Sequence, residues 1–103
     1  MTMIRAGIVG ISGFAGKVLV DRLLNHKDVR LMYVAANSTT GRVDEIWPEF
    51  KGRTDLVCAK YDLSSATELC DVVFLALPHT ESMKVVGPLL KAGKKVIDLS
   101  ADY

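Results

Sequence analysis

The chain has 103 residues, half of them hydrophobic and 24% charged, which suits one packed domain or a piece of a larger one and excludes a disordered chain. Thirteen basic residues nearly balance twelve acidic ones, and a net charge of +1 gives no reason to expect nucleic acid or a membrane surface as partner. Two cysteines, Cys58 and Cys70, make neither a disulfide framework nor a zinc signature, so both are read as free thiols and no metal site is expected.

Residues 4–9 form a short apolar run closed by glycine, the pattern of a parallel strand buried on both faces. Phe14, Val18, Leu19, Leu23 and Leu24 follow at helical spacing, with Lys17, Asp21, Arg22 and Asn25 opposite. "VRLMYVAA", residues 29–36, reads as a second strand. From 37 to 52 polar and turn residues dominate, which predicts a long connection with a turn or one short helical stretch at Trp47-Pro48. Residues 55–59 read as a weaker strand at the sheet edge. Ser65-Ala66-Thr67-Glu68 fits a capping box and should start a short helix. "DVVFLAL", residues 71–77, is the strongest strand, stopped by Pro78. Thr80 should cap a helix running to 92, with Met83, Val86, Leu89 and Leu90 inward. Pro88 should kink or split that helix, and Gly93 should close it. "KVIDL", residues 95–99, is the last strand.

Alternating strands and helices imply βαβ units, hence an α/β fold: a Rossmann-like, doubly wound, mostly parallel sheet with helices on both faces. No apolar run approaches the roughly 20 residues of a membrane span. The amino end enters the first strand without a leader-like stretch, so the expected compartment is the cytoplasm. The chain stops just past a strand, at the ligand edge of the sheet. Residues 1–103 are therefore expected to be a truncated cofactor domain.

Glycine recurs every third residue in "GIVGISGFAG", residues 7–16. After a first strand and before a first helix, Gly10, Gly13 and Gly16 make a dinucleotide fingerprint. Gly10 lets the chain turn, Gly13 keeps no side chain between a pyrophosphate and the helix N–H groups, and Gly16 lets helix and strand pack closely. Ser12 adds a hydroxyl donor. Gly7 lies within the strand and reads as a packing glycine. A site preferring NAD carries an acid about 20 residues past the motif. Here "AANSTTGR", residues 35–42, holds none. Ser38 and Thr39 offer hydroxyls and Arg42 a planar cation suited to phosphate, which favours NADP. Ligands in such sheets lie outside the carboxyl ends of the strands, so His79 and Ser100 are placed toward the nicotinamide half.

Four stretches, "GISGFAG", "DEIWPEFKG", "DVVFLALPH" and "KVIDLSADY", give the chain a resemblance to the N-terminal part of the N-acetyl-gamma-glutamyl-phosphate reductase family, within the semialdehyde dehydrogenase superfamily. The resemblance runs from Ile4 to Tyr103. It implies an NADP-dependent acyl-phosphate reductase of arginine biosynthesis that works through a cysteine thioester reduced by NADPH. The family's cofactor motif falls on Gly10, Ser12, Gly13, Phe14, Ala15 and Gly16. Its 2′-phosphate loop falls on Ser38, Thr39 and Arg42. Its two other corners fall on Pro78 with His79, and on Ser100. The family's catalytic cysteine and histidine lie beyond Tyr103, so no catalytic residue is expected in this chain and the stretch alone should not turn over substrate. Cys58 and Cys70 are not at the ligand edge. The resemblance further implies a small-molecule acyl-phosphate substrate, a homo-oligomer formed through a domain outside this stretch, and an apolar face of the sheet left uncovered. Three other readings remain open: a lysine-pathway aminoadipyl-phosphate reductase, another NAD(P)-binding oxidoreductase such as a dihydrodipicolinate-type reductase, and a non-catalytic dinucleotide-binding module.

Overall fold

In the computed structural model, residues 3–11, 13–36 and 39–99 are described. The elements in order are β1 (Ile4–Val9), α1 (Phe14–Leu24), β2 (Val29–Ala36), β3 (Gly41–Arg42), α2 (Val43–Ile46), a 3-10 turn (Pro48–Phe50), β4 (Val57–Lys60), α3 (Leu63–Leu69), β5 (Val72–Leu75), α4 (His79–Lys91) and β6 (Lys95–Asp98). The sheet order is β3-β4-β2-β1-β5-β6. Every neighbouring pair is parallel except β3 and β4. This is the doubly wound sheet that the sequence pattern predicts.

Alternation along the central strands feeds two cores. Ala6 and Ile8 of β1 pack with Val20 and Leu23 of α1, and with Val43 and Phe50 of the connection. Val9, Val73 and Leu75 pack on the other face with Ala66 of α3 and with Val85 and Leu89 of α4. Burying side chains such as Ile8, Leu75 and Phe50 is worth roughly 1.5–3 kcal/mol each, and these are among the largest fully buried side chains. The exposed Arg5–Asp71 fork (3.0 Å) across the amino ends of β1 and β5 fixes geometry and adds little beside that.

Several local expectations are corrected. In α1 the inward residues are Gly16, Val20 and Leu23, whereas Phe14 is 78% exposed and Val18 lies outside. Gly16 sets this: it packs on the strand end, and positions 14 and 18 then lie about 160° round the helix from it. The cap of α3 is Asp62, not Ser65; its carboxylate accepts from the Ser65 amide (3.1 Å) and hydroxyl (2.8 Å). Helix α4 begins at His79 with Pro78 at the cap, so Thr80 is inside it. Ser82, Val85 and Leu89 point inward, while Met83 and Leu90 are exposed. Pro88 does not split α4, which runs unbroken to Lys91. Pro88 and Lys84, one turn earlier, are both on the exposed side, where water serves the carbonyl that proline cannot. Gly93 closes the helix at φ +81°, as predicted.

The connection is more structured than its composition suggests, with β3 and α2 ahead of the helical turn at Pro48. The weak strand starts two residues later than predicted and is not the edge, because β3 pairs outside it. The ladder of β5 is Val72–Leu75, shorter than the apolar run, and Leu77 is buried beyond it. Met3, Ile4 and Ile97 are exposed apolar side chains on the β1–β5–β6 part of the sheet.

Gly7 is a packing glycine, as the sequence implies. A Cβ there would stand 2.5 Å from the Cys70 sulfur and 3.4 Å from Tyr33. The β1–β2 register also shifts between Ala6 and Gly7. Gly7→Ala is expected to cost about 1–3 kcal/mol of unfolding free energy. In a urea double-mutant cycle, Gly7→Ala with Cys70→Ala should cost clearly less than the sum of the two single changes; strict additivity would exclude the contact as the cause.

Candidate functional site

The site is built at the carboxyl ends of the parallel strands, around the turn from β1 to α1. The Ala35 carbonyl at the end of β2 accepts from the amides of Gly10 (2.7 Å) and Ile11 (3.4 Å). On the other side, the Ala76 amide donates to the Val9 carbonyl at 2.9 Å. The turn is thus wedged between its two neighbouring strands. Gly10 has φ +103°, and a Cβ there would lie 2.5 Å from the Ala76 carbonyl oxygen. A Cβ on Gly16 would fall on the Gly10 carbonyl oxygen. Both glycines are therefore dictated by the fold.

Gly13 differs. Its backbone is extended (φ −93°, ψ 172°), a conformation open to any residue, and a Cβ there would meet nothing within 4 Å. Gly13 caps α1 without a side-chain bond, its carbonyl takes the Lys17 amide at 3.0 Å, and the first turn of α1 holds no acid. The first amides of a helix have no intrahelical partner, and the positive end of the α1 dipole lies at Gly13. Phe14 stands exposed beside it and Ala15 is half-buried.

Other predicted site residues fall around the same edge to different degrees. Thr39 follows the end of β2, and its carbonyl accepts from the Cys58 thiol at 3.3 Å. Pro78 follows β5, with its carbonyl taking the amides of Glu81 and Ser82, both at 3.0 Å. His79 begins α4; its side chain lies outside the described residues, as do Ser12, Ser38 and Ser100. The backbone of Arg42 stands lower on the sheet. It pairs with Val57 in β4, whereas Lys60 of β4 pairs with Ala36 at the end of β2. Three residues of strand, roughly 10 Å, separate those levels. Its guanidinium is forked onto Asp44 (3.0 and 2.8 Å), which raises the Arg42 pKa and lowers that of Asp44.

Two features escaped the sequence reading. The Trp47 indole donates to the Ile11 carbonyl at 2.8 Å, joining the connection to the glycine turn. Ser82, the buried polar side chain of α4, donates to Asp98 at 2.6 Å and ties the first turn of α4 to the end of β6. An aromatic in a polar connection and a serine on an apolar helix face are the signals that pointed to them. A hollow of about 660 Å³ lies instead at the amino ends of the strands, between Met3, Ile4, Phe74, Lys95 and Ile97. It brings no convergent chemistry to the edge. Among the described residues no three His, Cys, Asp or Glu side chains gather as a metal site, and no helix is long and apolar enough to cross a membrane.

The family description "Semialdehyde dehydrogenase, NAD binding domain" matches residues 5–103. The chain belongs to that family. Across all 103 residues it is 46% identical to an N-acetyl-gamma-glutamyl-phosphate reductase of Campylobacter curvus and 42% identical to one of Wolinella succinogenes. It spans 30% and 31% of the length of those two proteins. Among solved structures, the aspartate semialdehyde dehydrogenase of Candida albicans with NADP aligns over 99% of this chain and 31% of its own, with TM-score 0.83 and 20% identity. A scyllo-inositol dehydrogenase of Lactobacillus casei with bound NAD(H) and scyllo-inositol aligns over 94% of this chain and 28% of its own, with TM-score 0.70 and 21% identity. The likeness in fold agrees with the Rossmann-like sheet.

Both cysteines are buried. Burial raises the Cys58 thiol and pushes Cys70 up to about 11. Neither is a thiolate at neutral pH, which fits the expectation that neither is a nucleophile. A buried thiol with a raised pKa stabilises the fold below the free-thiol value of about 8.5. That contribution is lost as the pH climbs toward about 11. Thermal melts should therefore fall from about pH 9 upward, and less steeply in Cys70→Ala. At pH 8 iodoacetamide should label neither cysteine until denaturant is added; rapid native labelling would contradict the burial.

Proposed function

We propose that this chain is the NADP-binding part, spanning 1–103, of an NADPH-dependent acyl-phosphate reductase that converts N-acetyl-glutamyl 5-phosphate to N-acetyl-glutamate 5-semialdehyde and phosphate, in the cytoplasm and as a homo-oligomer. The observation that carries the cofactor role is the contrast among the three glycines. Packing explains Gly10 and Gly16. Neither backbone angle nor steric room explains Gly13, whereas the close approach of a pyrophosphate does. The substrate assignment rests on relatives that carry that name along the full length of this chain.

In this reading the amides at the start of α1 hold the diphosphate, and Ser12 adds its hydroxyl. Ser38 and Thr39 take the adenosine ribose and its 2′-phosphate, and Arg42 joins them by exchanging Asp44 for phosphate. Pro78 and His79, at the start of α4, and Ser100 border the nicotinamide half. Bound NADPH supplies the hydride. The cysteine that forms the thioester belongs to polypeptide beyond Tyr103, so this chain's own task is to bind and orient.

Two experiments separate the parts of this proposal. Gly13→Val should cost only about 1 kcal/mol, the loss of a better N-cap residue, and about 4–8 °C of Tm, since its Cβ meets nothing within 4 Å, yet weaken NADPH binding at least about tenfold by blocking the diphosphate. Retained affinity would remove the turn from the cofactor site. Arg42→Ala should weaken NADPH more than NADH in calorimetric titrations. Equal losses would take the 2′-phosphate role away from Arg42.

A further inference from the structure

We propose that Trp47 is a positioning residue of the dinucleotide turn, an inference that rests on the cofactor reading above and deepens it. Trp47 is the chain's single tryptophan and lies 36 residues from its partner in sequence. Its indole N–H donates to the Ile11 carbonyl at 2.8 Å. Ile11 is fully buried, and its own amide points to the Ala35 carbonyl (3.4 Å) beside that of Gly10. Ile11 is thus held on its amide side by the backbone of β2 and on its carbonyl side by a side chain.

The carbonyl side matters for an anion. A peptide oxygen carries partial negative charge, and one swung into the cradle would repel a diphosphate. The indole satisfies the Ile11 oxygen and holds it to one direction. Trp47 is itself braced. Its amide donates to the Val43 carbonyl at 2.8 Å. The Lys17 ammonium sits 4.8 Å from the ring centroid and pairs with Glu49. The neighbouring Phe50 is buried in the core on the α1 face. Arg53 also links the connection to α1, through Asp21 (2.9 Å) and Asn25 (3.2 Å), but on the helix rather than at the turn. Trp47 is where a side chain of the connection reaches the glycine turn.

The test compares NADPH with adenosine 2′-monophosphate, which has no diphosphate. Replacing Trp47 by 3-benzothienylalanine keeps the ring and deletes only the N–H. Calorimetry should show the NADPH Kd raised about fivefold, the worth of one hydrogen bond, with the nucleotide monophosphate unaffected. Trp47→Phe should lose at least as much. Phe50→Leu, which loosens the same core and keeps the indole bond to the Ile11 carbonyl, should lower Tm and leave the ratio of the two affinities unchanged. An unaltered NADPH affinity in the benzothienyl variant, or an equal loss for both ligands, overturns the positioning role while the cofactor reading stands. Failure of the unsubstituted protein to bind NADPH overturns both.

Discussion

The Ala35 carbonyl is the point on which the structure turns. It ends β2 and takes two amides from the turn after β1. By doing so it fixes where β1 stops, and Gly10 must adopt a positive φ to leave the strand there. The Ala76 carbonyl closes the opposite wall, so the turn has one path. Helix α1 then starts against the Gly10 oxygen, close enough that only a glycine fits at 16. Everything on the α1 face follows from that start: the stripe of Gly16, Val20 and Leu23 faces the sheet, and Phe14 and Val18 are turned out.

The connection between β2 and β4 locks what the turn begins. Val43 and Phe50 fill the core beneath α1, and Trp47, Glu49 and Arg53 reach across to the turn and the helix. The carboxyl edge is therefore assembled from backbone held on a rigid frame, and few side chains are needed to shape it. That matches the demands of a ligand whose most charged part is recognised by amides and a helix end. The thiols of this stretch are sunk in its cores with raised pKa values, one of them against Gly7, and serve packing.

The sequence made the sheet legible because buried parallel strands are written as apolar runs and their ends as glycine or proline. The glycine turn was legible for the same reason, since its residues carry backbone meaning. Helix faces were less so. In α1 an aromatic at helical spacing looked like core, yet a close glycine contact outweighed it. In α4 a serine displaced a methionine from the inner face because Asp98 gives its hydroxyl a partner. The cap of α3 moved three residues upstream because Asp62 offers a carboxylate where Ser65 offers a hydroxyl. The sequence around Arg42 suggests a phosphate ligand, and it does not foretell the antiparallel pairing of β3 or the fork onto Asp44. For a long-range pairing such as that of Trp47 with Ile11, the local pattern marks the residue and does not name its partner.

The two-residue strand β3 has a consequence for growth of the sheet. It covers part of β4 and is itself too short to template another chain. At the far side β6 stands as a four-residue terminal strand with an exposed isoleucine and lysine on it. Among the described residues, one border of the sheet ends in a two-residue strand and the other in a four-residue strand. Additional β-structure, whether from the same polypeptide or from a neighbour, finds its longer template at β6.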